Sequence, residues 1–280
     1  MADAILWLIL LSVFDAPIEC DNCENWNRPQ EPFHIYGNTW YVGTGGLGSI
    51  MIETGEGLIL LDGGLPQSAE VIAESITRLG FRPKDIRFIG LSHAHYDHAG
   101  GIAALQRLSG AAVYAGRDAA KALRAGAVQA DDPQFGGGMT GQTFPAVPDA
   151  IGVADGWEYD MAGTRITALH TPGHTLGGTT WTWQACEENR CLDIVYVDSL
   201  SPVSRPGYRY SDGLGDVLRE TLGRIAELDC DIMLSTHDFS FALHQKLEQG
   251  AQAFIDDQGC REQAEKSIIQ LEKRLKSEQR

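Results

Sequence analysis

The chain of 280 residues carries a formal net charge of −16 at neutral pH, with 43% hydrophobic and 21% charged residues. Those fractions are ordinary for a soluble globular protein and set aside a disordered chain or a long coiled coil. The acidity sets aside a polyanionic partner, because nucleic-acid binders present basic patches and no Lys/Arg cluster occurs here.

Ile5 to Phe14 (ILWLILLSVF) is a nearly unbroken apolar run, as long as the core of an export signal and too short to span a bilayer comfortably. It reads as a cleaved leader over residues 1–19, with one mature domain over 20–280. The competing reading is a buried N-terminal strand or helix, since Asp3 and no Lys or Arg precede the run. Cys20 and Cys23 form a CxxC with no second CxxC to complete a zinc site, which favours a local disulfide.

From about residue 34, NTWYVGT, GSIMIET and GLILLDGG read as strands joined by tight turns. Ala69, Ile72, Ile76 and Leu79 recur at helical spacing, and Gly80 ends that helix. IRFIGLS is a buried strand, GIAALQRLSG a helix and AAVYAG a further strand. Ala125 to Asp155 is rich in Gly, Pro and Asp and reads as a long loop, the kind that forms rims and lids. RITALH, GTTWTW, DIVYVDS and DIMLST read as strands, Val217 to Leu228 as a helix, and the end as helical. Strands followed by helices thus occur twice, which predicts an α/β protein of two βα halves, its sheets packed face to face with helices outside. The six cysteines suit disulfides in an oxidising compartment. Cys186 and Cys191 are placed to staple a hairpin, and Cys230 and Cys260 to tie the last strand to the C-terminal helix, though connectivity stays open.

The strongest chemical signal is Ser92–His93–Ala94–His95–Tyr96–Asp97–His98, directly after a strand. Alternate side chains on a strand-end loop project together, so His93 and His95 can converge on one ion while Asp97 and His98 address a neighbour. Imidazole and carboxylate suit zinc. Further on, His174 lies in the turn PGHT, where flanking glycines allow close backbone approach, and His237 ends the strand DIMLST. His170, at the end of RITALH, competes with His174 and is read as a packed residue. His34 and His244 are read as structural.

The HxHxDH motif resembles the signature of the metallo-β-lactamase superfamily. LLDGG, TPGHTLGG, DSLS and STHD follow the same family order, over about residues 34 to 260. The resemblance implies the αβ/βα four-layer sandwich of that family and two zinc ions per chain. It assigns His93, His95 and His174 to one and Asp97, His98 and His237 to the other. Hydroxide held by the metals would attack an amide carbonyl, with Asp97 orienting it and handling its proton. Asp62, in the LLDGG turn, is a candidate to hold a ligand imidazole from behind.

Within the superfamily, DSLS is similar to the third subclass of class B β-lactamases, which implies an enzyme acting on small β-lactam antibiotics; the leader and the cysteines place it in the periplasm or outside the cell, and a monomer is expected. It would touch neither nucleic acid nor, once the leader is removed, the membrane. Ser199 and Ser201, two apart on a strand, would bind the substrate carboxylate, with Gln134 and Tyr208 on the rim. Asp198 keeps a second reading open, because in thioesterase-like (glyoxalase II-like) and lactonase-like relatives an aspartate near this place bridges the metals. A phosphodiesterase or nuclease of the same superfamily would want a basic surface, which the charge disfavours.

Overall fold

A computed structural model describes residues 13–136 and 141–279. Apart from Val13 and Phe14, the apolar run Ile5 to Phe14 lies outside the described residues. Chain contacts begin before the leader boundary read from the sequence. Arg107 donates to the Val13 carbonyl and to Asp15, and Ile18 exchanges two hydrogen bonds with Gln67.

Seven strands form the first sheet, in chain order: β1 Phe33–Tyr36, β2 Thr39–Tyr41, β3 Ile50–Thr54, β4 Gly57–Leu61, β5 Ile86–Gly90, β6 Ala112–Gly116 and β7 Ile151–Val153. It is antiparallel from β1 to β4 and parallel from β4 to β7. The second sheet takes β8 Trp157–Met161, β9 Thr164–His170, β10 Thr179–Glu187, β11 Arg190–Val197 and β12 Ile232–Ser235. Only its β11–β12 pair is parallel. The helices are α1 Cys23–Trp26, α2 Ser68–Arg78, α3 Tyr96–Ala99, α4 Ile102–Ser109, α5 Arg117–Ala125, α6 Leu214–Ala226, α7 Leu243–Gln249 and α8 Gly259–Glu278.

Strand periodicity sorts the core into layers. On β4, Ile59 and Leu61 face the second sheet, where they join Trp181, Ile194 and Tyr196. Leu58 and Leu60 face the other way and pack with Ile72 and Ile76 of α2, Leu105 of α4 and Leu123 of α5. Residues of α6 and α8, among them Leu218 and Leu271, extend the first cluster over the second sheet. The result is helices, sheet, sheet, helices. Trp181, fully buried between the sheets, donates its indole N–H to the Leu91 carbonyl at 3.1 Å and so fixes β10 against the end of β5.

The sequence reading departs from the fold in several places. Its long loop Ala125 to Asp155 contains β7, which closes the edge of the first sheet beside β6. It passed over α5, whose buried face is mostly alanine (Ala119, Ala120, Ala122) and gives little hydrophobic contrast. It also passed over β8, a partly exposed edge strand. All three cysteine pairs form as proposed: Cys20–Cys23, Cys186–Cys191 across the β10–β11 hairpin, and Cys230–Cys260.

The C-terminal helix also carries a fastening for the chain after β11. Glu278 accepts from the backbone amides of Tyr210 and Ser211 at 3.0 and 2.9 Å and pairs with Arg274, which itself donates to the Pro202 and Tyr208 carbonyls. Burial would raise the Glu278 carboxyl, but those amides and Arg274 bring it down to about 2. A carboxylate depressed by folding stabilises fully above its unfolded value and less as pH falls towards its folded one. Glu278→Gln is therefore expected to cost about 1–2 kcal/mol in urea unfolding at pH 7. The gap from wild type should narrow as pH falls from 4.5 towards about 2.

Candidate metal centre

The site lies where strand ends from both sheets meet. Asp62 follows β4, Ser92 to His98 follow β5, His174 sits between β9 and β10, Asp198 follows β11 and His237 follows β12. Asp62 holds this junction. Completely buried, with φ of 60°, it accepts from the Ser92 amide (2.7 Å), the Ser92 hydroxyl (2.6 Å) and the Tyr196 hydroxyl (2.8 Å). A carboxylate is the one group with enough lone pairs for three donors in so small a space. The His98 Nδ1 lies 3.6 Å from it, so Asp62 also faces one imidazole of the cluster.

Three histidines are fixed through their outer nitrogens. His93 Nδ1 donates to Asp198 Oδ1 at 2.7 Å. His95 Nε2 lies 3.2 Å from both oxygens of Asp132 and donates to that carboxylate. His174 Nδ1 donates to the Ser201 carbonyl at 2.8 Å, with the Ser201 hydroxyl at 3.3 Å. This turns Nε2 of His93, Nδ1 of His95 and Nε2 of His174 towards the cluster, and one nitrogen from each comes within 4.8 Å of the others. The buried His93 Nε2 has no hydrogen-bond partner among the described residues.

A second trio adjoins it. His98 Nε2, His237 Nε2 and Asp97 Oδ2 stand 3.3, 3.2 and 3.5 Å apart, pair by pair. Zinc bonded to imidazole nitrogen and carboxylate oxygen at about 2.0–2.2 Å with tetrahedral angles has ligand-to-ligand edges of about 3.3–3.5 Å. The trio already has the size of one such face. His93, Asp97 and His98 also converge within 4.8 Å, which brings the two trios side by side.

The electrostatics favour a cation. Burial and the neighbouring His98 push His93 well below the usual histidine range. Burial and His95 bring His174 down to about 3, and burial and His98 bring His237 down to about 4. Neutral imidazoles keep the lone pairs that a metal needs. Burial opposes the charge on Asp97, yet His98, His237 and His95 hold it well below the usual carboxylate range. The donor set and the partnerless His93 nitrogen therefore fit one or more metal ions.

The remaining candidates fall into two groups. The Gln134 amide nitrogen reaches to 3.5 Å from His174 Nε2, beside the cluster. Ser199 and Ser201 lie beyond β11, which ends at Val197, rather than on the strand. There the Ser199 hydroxyl pairs with Thr236 Oγ1 at 2.9 Å, and Ser201 is engaged with His174. The Tyr208 ring packs on Tyr210 at 5.5 Å, with Arg205 above it. His170 binds the Val153 carbonyl at the sheet edge, His34 the Gly37 carbonyl, and His244 the Gly45 carbonyl, all apart from the cluster.

Three features escaped the sequence reading. Asp132 is one. Asp198 lies behind His93, and Gly178 makes room for it, since a Cβ there would overlap Asp198 Oδ2. The third is an aromatic wall, in which Trp26 and Phe239 flank the His237 ring with centroids 5.6 and 5.2 Å away. The Cys20–Cys23 bridge closes the turn that presents Trp26, so the CxxC serves the site from outside.

A family model described as the metallo-beta-lactamase superfamily matches residues 45–237. Among solved structures, the Rm3 metallo-beta-lactamase superposes with a TM-score of 0.90 at 41% identity, over 94% of this chain and 100% of that one. MEM-A1, a subclass B3 metallo-beta-lactamase from a soil metagenome library, gives 0.86 at 42% identity, over 90% and 98%. An N-acyl homoserine lactonase of Bacillus cereus is 34% identical over 74 residues, 18% of this chain and 30% of the lactonase. The chain thus spans less than a third of that curated relative's length.

Asp62→Ala would take the acceptor from the Ser92 amide and hydroxyl at the junction of the two sheets and leave the Tyr196 hydroxyl with the Gly48 carbonyl alone. Each such group costs about 1–3 kcal/mol, so urea unfolding of the metal-free protein should show a loss of about 3–5 kcal/mol. A loss under about 1 kcal/mol would mean that the junction does not depend on this carboxylate.

Proposed function

The chain belongs to the metallo-beta-lactamase superfamily, and from that premise we propose a zinc-dependent hydrolase that opens the amide bond of β-lactam antibiotics. The observation that carries this reading is the pair of adjoining trios, His93, His95 and His174 beside Asp97, His98 and His237, within a chain that matches subclass B3 β-lactamases over nearly its full length. His93, His95 and His174 would hold one zinc, and Asp97, His98 and His237 a second. Bound there, zinc supplies Lewis-acid charge for a carbonyl oxygen and makes water acidic enough to lose a proton near neutral pH.

The chain's own groups do the rest. Asp97, held as an anion between His98 and His237, orients the attacking water with its carboxylate. It can take up that water's proton and return it to the nitrogen released from the amide. Asp198, Asp132 and the Ser201 carbonyl fix the ring orientation of His93, His95 and His174. The Ser199 and Ser201 hydroxyls and the Gln134 amide are assigned to the substrate carboxylate and rim, and Tyr208 to the outer rim. Burial of the cluster, with His93 1% and His98 0% exposed, keeps bulk water from weakening these interactions.

Lactone or thioester hydrolysis is the competing reading, and the placement of Asp198 speaks against it. Its Oδ1 is committed to the outer nitrogen of His93, and its Oδ2 lies beside Gly178, buried and without a partner among the described residues. The three disulfides suit a periplasmic or secreted enzyme, and no helix among the described residues is long and apolar enough to cross a membrane. The proposed working form is a monomer with a small-molecule substrate.

Zinc-loaded protein should open a chromogenic cephalosporin rapidly, with activity lost to a chelator and restored by zinc. His95→Ala should lose more than about a hundredfold, beyond what loss of an outer partner costs. Faster turnover of a lactone or a thioester than of the cephalosporin would overturn the substrate assignment and leave the metal site standing.

A further inference from the structure

Asp132 is the one carboxylate of the site that comes from the irregular segment between α5 and β7. It is 9% exposed, and both its oxygens face His95 Nε2 at 3.2 Å. The same Oδ1 accepts the backbone amide of Gln134 at 2.7 Å, and the Asp132 carbonyl accepts the Phe135 amide at 3.0 Å. One residue away, the Pro133 carbonyl accepts the Arg205 amide at 2.9 Å, which ties in the chain after β11. Gln142 braces the far side, donating to the Gln134 carbonyl and accepting from the Gly136 amide.

We infer that Asp132 is a positioning residue that couples the rim segment 129–136 to the metal centre through His95. The inference rests on His95 being a metal ligand. A bound metal draws density from Nδ1 of His95 and makes its Nε2–H a stronger donor, which tightens the bond to Asp132. In return, the carboxylate fixes the ring so that Nδ1 faces the metal. Tightening Asp132 orders the turn that carries Gln134, whose side chain stands 3.5 Å from His174. Metal loading and rim order are then one linked equilibrium, and each must stabilise the other by the same factor.

Asp132→Asn separates this role from ordinary turn formation, because an asparagine Oδ1 still accepts the Gln134 amide while the charge facing His95 is gone. The full chain should be titrated with zinc against a chromophoric chelator. Asp132→Asn is expected to weaken binding by about 10–100-fold, the range for an outer partner of a metal-bound imidazole. Hydrogen exchange supplies the second readout. In the wild type, zinc should slow exchange at the Gln134, Phe135 and Gly136 amides, and in Asp132→Asn that slowing should be absent. Asp132→Glu, which restores the charge, should recover part of both effects. Zinc affinity within about twofold of wild type in Asp132→Asn would reduce Asp132 to a turn former and overturn the proposal. So would rim exchange in the wild type that ignores zinc. A wild-type chain that binds no zinc at all would remove the metal site and this role together, a result plainly different from either.

Discussion

Four carboxylates, those of Asp62, Asp97, Asp132 and Asp198, stand around the histidine cluster with exposures of 0%, 6%, 9% and 1%. Burying even one carboxylate without a compensating charge is costly; here burial pushes Asp62 and Asp198 up, and Asp97, Asp62 and Asp198 raise His98 despite its own burial. Burial and mutual repulsion push His93, His174 and His237 towards the neutral form, so these rings contribute ligand lone pairs and little positive charge. Divalent cations meet both needs at once, because they take the lone pairs and balance the carboxylates. The protein holds these groups in place by packing.

The packing explains why the groups lie where they do. β4 and β5 run parallel in one sheet, β11 and β12 in the other, and the residues just past their C-terminal ends meet at one edge of the sandwich. Asp62 binds this edge together, since its donors come from the end of β5 and from β11. Trp181 fixes β10 to the same end of β5. The histidines therefore sit on rigid strand ends, which suits a centre that must hold its geometry to a fraction of an ångström. The rim is built from loops instead, and Asp132 is the point where the two meet.

The inner residues were legible because their spacing is local. His93, His95, Asp97 and His98 fall within six consecutive positions after an apolar strand, and His174 and His237 each stand in a distinctive turn or strand end. The outer partners were not legible, because contact between them is made only by folding. Asp198 lies 105 residues from His93, and Asp132 lies 37 residues from His95 in a stretch with no periodicity. From sequence alone, Asp198 stood open as a bridging ligand, and only the direction of the His93 ring separates that role from the one it occupies. Ser199 and Ser201 read as strand residues because apolar β11 runs straight into them, whereas the ladder stops at Val197. Helix α5 was missed for the same reason in reverse, since small alanines fill its buried face.

The central claim is that this cluster is a two-metal centre with a defined nitrogen from each histidine. A crystal structure of the zinc-loaded chain, with anomalous data collected at the zinc edge, tests it directly. Two peaks are expected, one bound by Nε2 of His93, Nδ1 of His95 and Nε2 of His174. The other should be bound by Asp97 and by Nε2 of His98 and of His237, with Asp198 and Asp132 still behind their rings. A single peak, or a carboxylate of Asp198 lying between two ions, would contradict it.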